Sequence, residues 1–110
     1  MTPDDFRKIA LSLPEAVEIG HMGHPDFRVG EKIFATLGSP DIGHGMVQLM
    51  PDQQAMFMES HPAIFSPAKG KWGSGGSTLV NLAAAKSKVL REALILAWRL
   101  RAPPALAEKL

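Results

Sequence analysis

The residues best equipped for chemistry are the histidines, the serines and a glycine-rich run that holds two lysines and a tryptophan. His21 and His24 are three apart, with His44 and His61 elsewhere. Two histidines on a turn can seed a zinc site, but a catalytic zinc needs three protein ligands and an open position. No acidic residue lies beside them at helical spacing, so turn and surface histidines are expected and no metal ligand is assigned. Ser12, Ser39, Ser60, Ser66, Ser74, Ser77 and Ser87 form no Gly-x-Ser-x-Gly nucleophile pattern. Asp4 and Asp5 read as helix-start charges rather than as a general acid and base. With no residues of assignable role, neither an enzyme nor a cofactor is expected.

The run Pro67 to Leu82 carries the most specific signal. Gly70, Gly73, Gly75 and Gly76 fall within seven positions and can reach positive φ. Gly70 and Gly75 have the spacing of the two P-loop glycines, but Gly76 stands where the lysine belongs, and a strand is expected next. The helix N-terminus that would bind phosphate is then missing. Lys69, Lys71 and Trp72 suit nucleic acid instead. Lysines contact phosphates, and an indole stacks on a base. A tryptophan folded back over the core edge is the competing expectation.

At 110 residues the chain is long enough for one domain with a real core, spanning 1–110. Its 45% apolar and 21% charged residues fit a globular protein. There is no cysteine, which excludes disulfides and thiolate metal sites. No leader-like or membrane-spanning stretch is visible, so a cytoplasmic monomer is expected. The net charge of +1 hides an asymmetry. Residues 1–66 carry four basic and nine acidic groups; residues 67–110 carry eight and two. The second half could attract a polyanion.

Periodicity gives the elements that must position these residues. Helix Pro3–Leu13 starts on Thr2 and Pro3 and buries Phe6, Ile9, Ala10 and Leu13. Strands follow at 16–19, 26–29, 32–37 and 46–50, with Gly30-Glu31 as a hairpin turn. Ile33, Ala35 and Leu37 alternate with Lys32, Phe34 and Thr36, which puts Phe34 on the outer face. A helix over 51–60 buries Met56, Phe57 and Ala55, and Pro62 ends it. Short strands at 63–66 and 78–82 bracket the glycine loop. A helix over 84–101 carries a broad apolar arc with Trp98 on its border, and one further turn follows Pro104. Hairpin-rich strands with helices before and after predict an α+β domain, an antiparallel sheet with helices packed on one face.

The ordered series His21-Met22-Gly23-His24-Pro25, Phe27-Arg28-Val29, Lys32 to Leu37, Pro62, Phe65, Pro67-Ala68, Trp72-Gly73, Thr78-Leu79-Val80, Ala97-Trp98-Arg99 and Ala102-Pro103 resembles the MmcQ/YjbR family. The resemblance runs from Phe6 to about Leu106. It implies a small bacterial domain of CyaY-like, double-wing architecture, of a type often called DNA-binding. The wings it implies are the tips Gly38–Gly45 and Ala68–Ser77. Where relatives carry basic residues and a second tryptophan, this chain has Ser74-Gly75-Gly76-Ser77, and Pro104-Ala105 replaces a basic pair. The CyaY-like fold also evokes frataxin and iron, but Asp4 and Asp5 stand against Arg7 and Lys8, so iron binding is not carried over.

Two functions are therefore expected. The first is a non-enzymatic module that binds DNA weakly through phosphates, using Lys69, Lys71 and Trp72 with Arg28 and Lys32 as neighbours. The second is a protein- or small-ligand-interaction domain with a groove of His24, Phe27, Phe34 and Trp72.

Overall fold

The computed structural model describes residues 1–20 and 24–110. The elements run α1 (Pro3–Leu11), β1 (Val17–Ile19), β2 (Asp26–Val29), β3 (Lys32–Leu37), β4 (His44–Gln48), α2 (Pro51–Ser60), β5 (Phe65–Pro67), α3 (Gly70–Ser74), β6 (Ser77–Asn81), α4 (Ser87–Arg101) and α5 (Pro104–Ala107). The strands form one antiparallel sheet in the order β1-β2-β3-β4-β6-β5. Helices α1 and α4 pack on each other, α4 against β3 and β4 and α1 against β4. The expected α+β architecture is the one observed. Among the described residues no helix is long and apolar enough to cross a membrane.

Local chemistry explains where the helices begin and end. The Thr2 hydroxyl accepts from the Asp5 N–H at 3.2 Å, and the Thr2 N–H donates to the Asp5 carboxylate at 2.9 Å. This reciprocal cap satisfies two amides that a helix start leaves open. α1 stops at Leu11, two residues earlier than the apolar stripe predicts, yet Leu13 is still buried. α4 starts at Ser87 rather than at residue 84. The Asn81 carbonyl accepts from the N–H groups of Ala84 and Ala85, and its side chain accepts from Ala83. Those bonds hold residues 81–85 in a turn that the helix cannot absorb.

Two packing expectations change. In α2 the buried positions are Gln54 and Phe57, while Ala55 and Met56 face solvent. The helix is turned so that the Gln54 amide can reach buried carbonyls, described below. In β3 the simple alternation fails at Phe34. Phe27 pairs with Ala35 but Arg28 pairs with Ile33, so Phe34 is an extra residue. Such a bulge places two residues of one strand opposite one of its partner. Phe34 and Ala35 both become fully buried, and Ile33 is left 37% exposed. Phe34 is thus a core residue and not an outer-face one.

Trp98 lies inside the arc rather than on its border and has no exposed surface. Its indole N–H donates to the Pro14 carbonyl at 2.9 Å, tying α4 to the connection between α1 and β1. Trp98→Ala removes both the packing and that bond. It is expected to cost about 3–5 kcal/mol in urea unfolding, with Trp98→Phe in between. A loss under about 1 kcal/mol would contradict this placement.

Candidate binding groove beside α3

The helices leave the other side of the sheet open over β3, β4 and β6. Thr36 pairs with Met46, and Met46 pairs with Leu79. These three side chains form a transverse row pointing away from the core, while their neighbours Ala35, Val47 and Val80 point into it. Two segments rise beside the row. Ser39 and Pro40 come from the β3–β4 connection, and Ala68, Lys69 and Trp72 come from the segment around α3. With Ser77, they enclose an open groove of about 410 Å³.

The glycine-rich run is not a bare hairpin tip, because it folds into α3 and is fastened down. The Gln54 amide donates to the carbonyls of Gly73, at 3.0 Å, and Ser77, at 3.1 Å. The Gln48 amide donates to the Gly75 carbonyl at 3.2 Å and accepts from the Ser77 hydroxyl at 2.8 Å. Two of the glycines are required by close approach. A Cβ on Gly73 would lie 1.9 Å from the Ala68 carbonyl oxygen. One on Gly76, at φ +105°, would lie 1.8 Å from that of Leu49. Gly73 and Gly76 therefore let the α3 segment sit against backbone.

On this fixed base Trp72 is 77% exposed. Lys69 and Lys71 are exposed beside it, and among the described residues neither forms an ion pair. Lys69 is the only ionisable group among the described residues lining the groove. Asp41, on the β3–β4 connection, is already engaged. Its carboxylate accepts from the Gly43 N–H at 2.9 Å and meets His44 Nδ1 at 2.8 Å. The His44 bond first, and then the Gly43 bond, hold its carboxyl below the ordinary value.

The structure brings Lys69 and Trp72 into the groove, with Lys71 on the same helix. Arg28 and Lys32 are not among the residues that line it. Arg28 is committed to Asp26 at 3.0 Å. The expected cluster of His24, Phe27, Phe34 and Trp72 does not form. Phe27 and Phe34 are fully buried in the core, Trp72 stands on the opposite side of the sheet, and His24 is exposed outside the groove. His21 lies outside the described residues. Among those described, no three His, Asp or Glu side chains are grouped to hold a metal ion. The floor residues Met46, Leu79 and Thr36 were not singled out from sequence. Their signal is the alternation with Val47, Val80 and Ala35.

The sequence model of the YjbR family matches residues 11–100. The chain belongs to the YjbR family. A crystal structure of Deinococcus radiodurans protein DR2400, a DUF419 domain, is similar to this YjbR chain with a TM-score of 0.74 and 20% identity. The match covers 98% of this chain and 86% of the other. At that identity the likeness establishes the fold alone. No curated protein matches.

The fastening of α3 and the exposure of Trp72 make opposite demands on stability. Gln54→Leu keeps the volume but removes two buried hydrogen bonds, leaving the Gly73 and Ser77 carbonyls only the N–H groups of Gly76 and Ala68. It is expected to cost about 1–3 kcal/mol in urea unfolding. Trp72→Ala is expected to cost under about 1 kcal/mol, as for most surface changes. Equal losses would make Trp72 a structural lid.

Proposed function

We propose that this YjbR domain is a non-enzymatic module that binds nucleic acid weakly, chiefly through phosphates. The observation that carries the reading is the pair of lysines, Lys69 and Lys71, with no ion-pair partner among the described residues, beside an exposed Trp72 on a fastened helix. Holding the backbone of α3 in advance lowers the ordering cost of binding. The excess of positive charge over residues 67–110 favours approach of a polyanion. Arg28 contributes less than its sequence position suggests, because Asp26 offsets its charge.

One observation favours a second reading, a small-ligand site. The groove volume of about 410 Å³ and its floor of Met46 and Leu79 fit the ~300–1,000 Å³, mostly apolar pockets that take small molecules. Quenching of Trp72 fluorescence by an uncharged aromatic compound, with no nucleic-acid binding at low salt, would select it.

A fluorescence-anisotropy titration with a short DNA duplex tests the first reading. Affinity is expected to fall steeply as salt rises from about 50 to 200 mM. Lys69→Ala with Lys71→Ala removes two phosphate contacts. That change is expected to flatten the slope of log K against log salt by about 2. Binding indifferent to salt, or none at low salt, overturns it.

A further inference from the structure

We propose that the groove accepts an unstacked base of a single-stranded nucleic acid, with Trp72 as its stacking face and Lys69 and Lys71 on the flanking phosphates. The proposal rests on the phosphate-binding reading above and adds the form of the strand.

Shape selects the strand. The groove is a recess with walls at Ser39-Pro40 on one side and at the α3 segment on the other. In a duplex, each base is covered above and below by its neighbours and paired along its edge. Only an unpaired nucleotide can turn a base face toward Trp72 and lower it onto Met46 and Leu79. The indole is poised for such contact. It is 77% exposed in a residue type that proteins usually bury, and it lines the groove. Its support is rigid, because the carbonyls of Gly73 and Gly75 on either side of Ser74 are held by Gln54 and Gln48.

Charge selects the same ligand. No carboxylate lines the groove among the described residues, and its one ionisable group is Lys69. The nearby Asp41 is satisfied by Gly43 and His44. An occupant that is planar and apolar in the middle and anionic at its ends matches this layout. The floor offers the side chains of Thr36, Met46 and Leu79, and the Ser77 hydroxyl is spent on Gln48. Few groups remain to read a base edge, so recognition is sequence-tolerant, as expected where stacking dominates.

The test compares three labelled probes by anisotropy at low salt. They are a ten-nucleotide oligothymidine, an abasic strand with the same phosphates, and a ten-base-pair duplex. Stacking of one base predicts that the oligothymidine binds about 10-fold tighter than either of the others. Trp72→Ala should bring it down to the abasic level, and Trp72→Phe should retain most of the preference. Lys69→Ala with Lys71→Ala should weaken all three. Equal affinity for the three probes overturns base stacking and leaves the phosphate reading standing. Binding of none overturns both. Displacement of the oligothymidine by a polyglutamate peptide as readily as by unlabelled strand also overturns the proposal, in favour of an acidic protein partner.

Discussion

Trp98 lies fully buried in α4 and gives its N–H to Pro14, at the exit from α1. That contact locks together the two helices that cover the sheet. Leu90, Ala93, Leu94 and Ala97 continue the same buried surface, and Phe6 and Ala10 meet it from α1. The buried apolar residues of β2, β3, β4 and β6 point toward this layer. Because the core is satisfied from one side, the other side of the sheet is free of structural duty over its central strands. The groove exists there for that reason.

A one-sided core does not by itself hold a binding element in place. α3 has only five residues and no side-chain cap, so its own helical propensity is negligible. Its position comes from outside. Gln48 ends β4 and Gln54 lies one turn into α2, and their amides grip three carbonyls of the segment 73–77. Buried amides with good partners fix geometry because any displacement strands a polar group away from water. Trp72 thus has a mount that its glycine neighbours alone could not provide.

Much of the fold was legible from periodicity. The capped start of α1, the antiparallel strands, α2 and the long apolar α4 all stand close to where their patterns put them. The misses share a cause, which is that one residue pattern served two structures. Phe34 looks outward if β3 alternates strictly, and only pairing with β2 reveals the extra residue. Gln54 looks like a solvent residue until the carbonyls above it are known. Gly73 and Gly76 look like flexibility, yet they are contacts with Ala68 and Leu49, which lie five and 27 positions away. For the site, Lys69 and Trp72 were legible as exposed chemistry beside a turn. Their partners Met46 and Leu79 were not, since only the register of three strands aligns them.

The transverse row does not end at the groove. Strand register continues it as Ile19, Asp26, Thr36, Met46, Leu79 and Ser66, one residue from each of the six strands. With strands about 4.8 Å apart, that line is roughly 24 Å long. Along the central strands each member is flanked by a residue that faces the core: Thr36 by Ala35, Met46 by Val47, Leu79 by Val80. Alternate letters of the same strands therefore spell two separate messages, one for folding and one for contact. A lineage can rewrite the second, exchanging methionine for serine or leucine for arginine, while the first is left untouched. The domain is in this sense a keyboard whose keys can be relabelled without rebuilding the frame.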